Sequence, residues 1–331
     1  MLQFSWKERY SSMKSLKNRN ARETVLNIIN KYYDHEDECI NFFIRAKWPE
    51  GFECECGCHE YYMLNTRKNV LVCKHCGKQH YLFANTIFQD NKLPLFKLIL
   101  GMYLFFTSTK GMTAVELSDE LDINYKTACL FANKCRYLMT LSNVRHTLNS
   151  LFYEGDVFSI GTRSAGHPGK SSEQQDVQIV LSTKAENQYP EFIKMLPLKS
   201  ETKELCSSNF RKMAYLSKEA VLNSDGTNIF NPLQKEIKIK NDKVIYTEKN
   251  HRLKYIHIII GNVKNNIGGI YHGVDKSVLP LYLWEQEWRF NHRRSGYSIM
   301  NKIIQYINGS KPIPRKQMQY LKATYENMYC Q

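Results

Sequence analysis

The chain has 331 residues, enough for one large domain or two or three small ones. Hydrophobic residues make up 43% of it, as in globular proteins, and no apolar run approaches the roughly 18 residues of a membrane span. The formal net charge of +14 is spread along the chain and favours a polyanionic partner such as nucleic acid. A basic surface that contacts only water is the alternative.

Ten cysteines occur in a chain whose N-terminus lacks the apolar core of a signal peptide. We therefore expect a cytoplasmic protein. In that compartment, cysteines bind metal or remain thiols more often than they form disulfides.

The N-terminal segment, residues 1–47, has a helical pattern. Apolar residues recur at helical spacing between Asn20 and Arg45, for example at Ile28, Ile29 and Tyr32.

Residues 48–90 contain two cysteine knuckles, at residues 54–58 and 73–76, separated by a segment patterned as a β-hairpin. Two thiolates from each of two tight turns are what tetrahedral zinc requires, so we predict a zinc ribbon. The preferred ligands are Cys54, Cys56, Cys73 and Cys76. The first knuckle is one residue shorter than the usual C-x-x-C, so Cys58 or His59 is an alternative to one of its cysteines. A group of thiols without metal is the other alternative.

Residues 91–149 have the pattern of a helical region. A strongly apolar helix is predicted from Phe96 to Thr107, and Thr113 with Glu116 forms a capping box for the next helix. A second helix then opens at Asn124, so the pair is patterned as a helix–turn–helix, whose second helix enters the major groove of DNA. The candidate DNA contacts on that helix are Lys126, Lys134 and Arg136. An ordinary helical hairpin is the alternative.

After Asn149 the pattern changes to strands. Glu154 and Asp156 lie on one face of a predicted strand over residues 152–161, since side chains alternate along a strand. A later strand runs into a turn at Asp225-Gly226, which taken alone is a common turn sequence.

The stretch from residue 251 to residue 291 supports two readings. Its β-branched run around His257 favours a buried strand on local propensity alone. If the stretch is helical, His257 and Lys264 share a face because they lie seven residues apart, whereas Asn262 points elsewhere. An aromatic amphipathic helix follows, with Trp284 and Trp288 on one side.

The motif from Lys264 through Gly269 to Val274, followed by a helix ending Arg289-Phe-Asn291-x-Arg293, resembles the C-terminal catalytic block of bacterial insertion-sequence transposases. These belong to the DDE superfamily, in the group with an N-terminal zinc ribbon. The resemblance extends over residues 40–294 in the family's order. It makes the His257 segment a helix that faces an RNase H-like sheet.

The resemblance also implies site residues. Asp156 and Asp225 fall on the first two catalytic acids, His257 stands at the third, and Lys264 would contact phosphate. Carboxylates and imidazole at these positions imply Mg²⁺ or Mn²⁺. The fallback ligands are Glu154, Asn262, Glu285 and Glu287, and the further DNA contacts are Arg289 and Arg293. The chain departs from the family at Val157, where a second acid is usual, at Thr162, where a glycine is usual, and at His257.

The whole sequence therefore predicts an α+β multidomain protein. We assign 1–47 to a helical region, 48–90 to the zinc ribbon, 91–149 to the helix–turn–helix region, 150–295 to the RNase H-like catalytic domain, and 296–331 to a basic tail. The resemblance implies a transposase that cleaves and joins double-stranded DNA as a homodimer or larger assembly in the bacterial nucleoid. A catalytically inactive descendant that only binds DNA is the alternative, and a nuclease without strand transfer is a weaker one.

Overall fold

The structure is a computed structural model, and it describes residues 24–64, 66–144, 146–161, 174–241, 253–294 and 299–313. The helices in chain order are α1 (Val25–Tyr32), α2 (Glu36–Lys47), α3 (Leu95–Thr107), α4 (Ala114–Leu121), α5 (Tyr125–Val144), α6 (Lys203–Met213), α7 (Lys254–Gly269), α8 (Leu279–Asn291) and α9 (Ile299–Asn308). The strands are β1 (Tyr61–Leu64), β2 (Arg67–Cys73), β3 (Gln79–Tyr81), β4 (Phe152–Ile160), β5 (Gln175–Thr183), β6 (Phe192–Pro197), β7 (Val221–Asn223) and β8 (Lys238–Lys240). Within those described ranges, none of the helices has the length and apolarity to traverse a lipid bilayer.

The chain divides into two compact units. Among the described residues, the first contains residues 24–107, together with Leu117–Ile123 and Arg294–Pro312. The second contains Ser108–Glu116 and Asn124–Arg293. The mixed α/β composition agrees with the predicted fold class, while the first four predicted segments remain a prediction.

The first unit combines helices with a small sheet. Strands β1, β2 and β3 form an antiparallel sheet in that order. Helices α2, α3 and α9 pack together, with Phe43 contacting the ring of Phe83 beyond the sheet. The predicted helix from Asn20 to Arg45 is two helices in the described part, separated at Asp34, which has a positive φ of 59°.

Helix α9 lies in the segment that the sequence analysis assigned to a basic tail. Its residues Ile299, Met300, Ile303 and Ile307 are buried and recur at helical spacing. That part of the segment is therefore a packed helix, which corrects the expectation of a tail there. Residues 314–331 lie outside the described residues.

The second unit contains a five-stranded sheet of order β6-β5-β4-β7-β8. Strand β4 pairs antiparallel with β5 and parallel with β7. Helix α6 covers one face, where Phe210 contacts Tyr153 of β4. Helices α7 and α8 cover the other face, so Glu154 and Asp156, which alternate with Tyr153, point towards α7.

Helix α7 settles the question of the His257 segment. The stretch is a helix from Lys254 to Gly269, as the family resemblance implied and against its local β propensity. Its buried residues recur at helical spacing and pack on β4, β5 and β6. They are Ile256, Ile259, Ile260, Val263 and Ile267. Burial of this apolar face outweighs the small propensity cost of β-branched residues in a helix.

Candidate functional site

Four cysteines meet at one end of the small sheet. The sulfur atoms of Cys54, Cys56, Cys73 and Cys76 all lie within 4.8 Å of one another. Cys54 Sγ is 3.6 Å from Cys76 Sγ, and Cys56 Sγ is 3.6 Å from Cys73 Sγ. Four thiols at this spacing have the ligand number and type of a structural zinc site. The structure thus brings together the four preferred cysteines.

The two alternative ligands lie apart from this cluster. Cys58 contacts the backbone of Glu60, and His59 Nδ1 is 3.1 Å from the carbonyl oxygen of Phe52. Neither belongs to the group of four. The short first knuckle is accommodated because Gly57, at a φ of +80°, completes a turn in which its N–H donates to the carbonyl of Cys54.

His80 is a neighbour of the cluster that the sequence analysis did not select. Its Nε2 lies 3.3 Å from Cys54 Sγ, and its ring packs edge-on against Trp48 and Phe52. His80 pairs with Leu71 across β2 and β3, and it follows the second knuckle by four residues. The spacing between Cys76 and His80 matches no zinc-ligand pattern. Only the pairing of β2 with β3 brings the imidazole of His80 next to the thiol of Cys54.

A second polar cluster lies between β4 and α7. His257 Nε2 is 3.6 Å from Asp156 Oδ2, and these side chains are 24% and 23% exposed. Two ligands of one Mg²⁺ or Mn²⁺ ion, each about 2.1 Å from it, lie about 3–4 Å apart. The spacing and partial exposure of Asp156 and His257 therefore suit a shared divalent cation that substrate can reach.

Glu154 lies deeper on the same face of β4. It is 2% exposed, and burial raises the pKa of its carboxyl from 4.5 to about 7, although the N–H of Ile256 and the nearby His257 oppose this shift. Its Oε2 has no hydrogen-bond partner among the described residues. Gly155 lies between the two acids and faces the other side of the sheet. A Cβ atom at this position would come within 3.1 Å of Leu222 and Phe230, which explains the glycine.

Lys264 lies on the same side of β4 as the two acids. Its Nζ is 5.6 Å from the ring centre of Phe158, which follows Asp156 by two residues and so shares its face. The side chain is exposed and free to reach a phosphate. Asn262 is also exposed, on a different face of α7 as the sequence analysis expected.

Asp225 follows the end of β7. The parallel pairing of β7 with β4 ends where Asn223 lies opposite Glu154, so Asp225 lies two residues beyond the paired register. Within the described ranges, however, only the four cysteines form a group of three or more potential ligands within 4.8 Å. Asp156, Asp225 and His257 do not form such a group.

Comparison with known proteins finds a family similarity in part of the second unit. The family described as the ISXO2-like transposase domain matches residues 154–291. The resemblance to insertion-sequence transposases of the DDE superfamily is thereby confirmed. The match begins at Glu154 and ends at Asn291, so it includes every candidate ligand for a divalent cation named above.

Other comparisons add less. No curated protein matches the chain. Among solved structures, the Mos1 strand transfer complex matches at 8% identity over 66% of this chain and 79% of that chain, with a TM-score of 0.21. A pre-cleavage Mos1 transpososome matches at 8% identity over 65% and 79%, also with a TM-score of 0.21. Scores this low do not establish a shared fold.

Within the second unit, Glu285 is enclosed by two arginines. Its Oε2 accepts from Arg136 Nε at 2.7 Å, and its Oε1 accepts from Arg289 Nε at 2.9 Å and from Tyr271 Oη at 2.8 Å. Burial alone would raise the pKa of Glu285, but the two guanidinium groups hold it below its usual range.

This network corrects three predictions. Arg136 and Arg289 are buried in ion pairs with Glu285, so they do not present their guanidinium groups to DNA. Glu285 is fully buried and its carboxylate is occupied by both arginines, so it does not serve as a fallback ligand. Sequence periodicity placed these charges on helices but did not show that the helices face each other.

Two further predicted residues also have internal roles. Glu287 is fully buried, 3.9 Å from Lys194 Nζ, and accepts from the N–H of Met195, so it is corrected as a fallback ligand. Burial raises its pKa from 4.5 to about 7. Arg293 is half-buried and donates to the backbone carbonyls of Pro190 and Glu191, and its assignment as a DNA contact stays a prediction.

The helices predicted to bind DNA are present with the expected caps. Thr113 Oγ1 accepts from the N–H of Glu116 at 3.1 Å, and Glu116 Oε2 accepts from the N–H of Thr113 at 2.7 Å, which confirms the capping box. Asn124 Oδ1 accepts from the N–H of Lys126 at the start of α5. Lys126 is exposed and Lys134 is half-buried, so the assignment of both as DNA contacts stays a prediction.

Proposed function

We propose that this protein is a DNA transposase that binds the ends of its mobile element and performs metal-dependent strand cleavage and strand transfer. The observation that carries the proposal is the approach of His257 Nε2 to within 3.6 Å of Asp156 Oδ2 inside an ISXO2-like transposase domain. Asp156 lies on the central strand β4, Asp225 follows the end of the neighbouring strand β7, and His257 lies on the facing helix α7. This arrangement supports an RNase H-like catalytic domain.

The donor set suits divalent cations. Asp156, Asp225 and His257 would hold Mg²⁺ or Mn²⁺, the ions that carboxylate oxygens prefer. Such cations, when bound, supply Lewis-acid stabilisation of the attacking and leaving oxygens at a phosphodiester. Imidazole in place of the third acid removes one negative charge from the site and favours Mn²⁺ over Mg²⁺.

The protein's own side chains would position the DNA. Asp156 and His257 are both about a quarter exposed, so a phosphodiester can approach them from solvent. Lys264, two turns along α7 from His257, would hold a neighbouring phosphate by its charge. No residue is required to form a covalent bond with DNA, because a water and then a 3′-hydroxyl would attack phosphorus directly.

The first unit and the helices would supply recognition. The four cysteines would bind Zn²⁺ and fix the knuckles of a zinc ribbon. Exposed Lys126 at the start of α5 would contact DNA as part of a helix–turn–helix. Two copies of the chain would act together, because an element has two ends to be held.

The proposal is tested by strand cleavage of DNA that carries the two flanks of the gene's own element, with Mn²⁺ and separately with Mg²⁺. Asp156→Asn keeps the side-chain shape but removes the charge. We expect its cleavage to fall by more than the roughly 10–100-fold that loss of a supporting residue around a metal costs. Asp275→Asn is the matched control, since Asp275 is an exposed aspartate of the same domain.

Binding measured by fluorescence anisotropy separates catalysis from recognition. Asp156→Asn is expected to bind the same DNA as tightly as the wild type. Tight binding of the ends by wild-type protein, with no cleavage in either metal, would refute the enzymatic proposal and favour the inactive DNA-binding alternative. Cleavage without strand joining would favour a nuclease.

A further inference from the structure

The Asn291-x-Arg293 motif at the end of α8 lies against one edge of the five-stranded sheet. Among the described strands, β6 is the outermost one on this side of the sheet, and it pairs with β5. An outermost strand has a row of backbone N–H and C=O groups that no neighbouring strand binds, and such a row can pair with another chain. The partners of these groups on β6 decide whether the edge is open.

The register of β5 and β6 shows which backbone groups of β6 face outwards. In an antiparallel pair, residues that exchange hydrogen bonds with the partner strand alternate with residues whose N–H and C=O point away from it. The N–H of Leu198 donates to the carbonyl of Asp176, at the start of β5, at 2.8 Å. By this alternation the even-numbered residues of β6 bond to β5, whereas Ile193 and Met195 direct their backbone groups outwards.

Side chains of α8 bind these outward groups. The amide of Asn291 binds both backbone groups of Ile193, since its Oδ1 accepts from the N–H at 2.8 Å and its Nδ2 donates to the carbonyl oxygen at 2.9 Å. One turn earlier, Glu287 Oε2 accepts from the N–H of Met195 at 2.8 Å. Two successive outward N–H groups of β6 are therefore bound by side chains four residues apart, which lie on one face of α8.

Arg293, two residues after α8, continues this pattern into the connection between β5 and β6. Its guanidinium donates to the backbone carbonyls of Glu191 and Pro190. The end of α8 thus binds backbone groups along β6 in antiparallel order. A side-chain amide has the donor and the acceptor of a peptide unit. Asn291 therefore occupies the place that a residue of a sixth strand would take beside Ile193.

We propose that the Asn291-x-Arg293 motif, together with Glu287, seals the β6 edge and so prevents this sheet from pairing with a second copy of the chain. Ile193 and Met195 are fully buried, so their outward groups would have no water to bind if the side chains of α8 were absent. Covering an edge strand with another element is one way in which proteins avoid edge-to-edge association. The inference does not depend on the proposed function.

The first measurement is amide hydrogen exchange of the wild-type full chain at single-residue resolution, without DNA or added metal. A sealed edge predicts that the outward amides of Ile193 and Met195 exchange as slowly as the inward amide of Lys194, because all three are hydrogen-bonded. Outward amides that exchange as fast as those of an unstructured peptide would overturn the proposal.

Two variants of Asn291 separate sealing from simple packing. Asn291→Leu keeps a similar volume but removes the donor and the acceptor, whereas Asn291→Asp keeps an oxygen for the N–H of Ile193. We expect Asn291→Leu to speed exchange of the Ile193 amide by roughly 2–13-fold, the effect of losing one hydrogen bond, and Asn291→Asp to stay near the wild-type rate. Asn265→Leu is the matched control, since Asn265 is an exposed asparagine of α7. Equal Ile193 rates in Asn291→Leu and Asn265→Leu would contradict the sealing role.

The second measurement is sedimentation velocity of the same proteins over a series of concentrations. Asn291→Leu should shift to larger sedimentation coefficients at concentrations where the wild type and Asn265→Leu do not. Association through β6 should also slow the exchange of the Ile193 amide again at high concentration. A variant that exchanges faster but never associates, or that associates while Ile193 stays fast, would overturn the proposal.

The proposal stays testable if Asn291→Leu does not fold, because the wild-type exchange rates and the Asn291→Asp variant still decide it. Loss of Ile193 protection in a folded Asn291→Asp variant would show that the side-chain oxygen does not close the edge. None of these measurements uses DNA or a metal ion. A protein that never cuts DNA would therefore refute the proposed function and leave this inference to be judged by exchange and sedimentation.

Discussion

Replacing Glu285 by Gln tests the buried ion-pair network of the second unit. Glu285 is fully buried, and its partners Arg136 and Arg289 are 3% and 4% exposed in their side chains. The substitution keeps the volume but leaves two buried guanidinium groups without a counter-charge. Removing one partner of a buried ion pair costs about 3–5 kcal/mol, so we expect a loss of that size. Domains are stable by only about 5–15 kcal/mol, which makes this a large fraction.

The assay is urea unfolding followed by tryptophan fluorescence, because Trp284 and Trp288 lie in the same helix as Glu285 and are buried. Glu236→Gln is the matched control. Glu236 pairs with Arg211 in the same unit at 2.6 Å, but these side chains are 38% and 42% exposed, so water screens the pair. We expect the control to lose less than about 1 kcal/mol. Equal losses in the two variants, or a loss below about 1 kcal/mol for Glu285→Gln, would refute the reasoning.

Four other predictions concern metal, specificity and pH. Cys73→Ser should lower the zinc content of the purified protein by about one equivalent, while Cys58→Ser leaves it unchanged; retained zinc in the first variant would contradict the cluster. His80→Phe should keep the zinc but weaken its affinity roughly 10–100-fold in a chelator competition, because the imidazole supports the sulfur of Cys54; unchanged affinity would rule this support out. His257→Glu should raise the ratio of Mg²⁺-supported to Mn²⁺-supported cleavage, and an unchanged ratio would show that residue 257 does not contact the cation. Burial raises the pKa of Glu287 from 4.5 to about 7, so Glu287 makes the free energy of unfolding fall as the pH rises through this range. Glu287→Gln should reduce that fall, measured by urea unfolding at each pH. An undiminished fall would contradict the burial argument.

The candidate zinc ligands show what the spacing of residues along the sequence can predict. Each knuckle is a short turn, so its two thiols are placed by a few backbone angles, and the pairing of knuckles follows from the hairpin between them. The preferred four cysteines therefore could be chosen from the sequence. His80 could not, because it reaches Cys54 only through the register of β2 and β3.

Helix α7 shows a conflict within the sequence. Its β-branched run predicts a strand, yet its apolar residues also recur at the spacing of a helix from Ile256 to Ile267. The family resemblance pointed to the helix, and burial against the sheet explains why the helix forms. Local propensity is worth a few tenths of a kcal/mol per residue, whereas each buried isoleucine contributes about 1.5–3 kcal/mol.

The sequence by itself determined the capping box and the acids on one face of β4, and it favoured the four cysteines that cluster, because these depend on residues near one another in the chain. The shared face of His257 and Lys264 depended on the helix, which the structure decided. Only the tertiary structure decided the roles of charges on α5 and α8. Arg136 and Glu285 are 149 residues apart in sequence, and their contact exists only because the two helices pack together. A helical pattern shows on which face a charge lies, but whether that face meets water, DNA or a buried partner depends on which element packs against it.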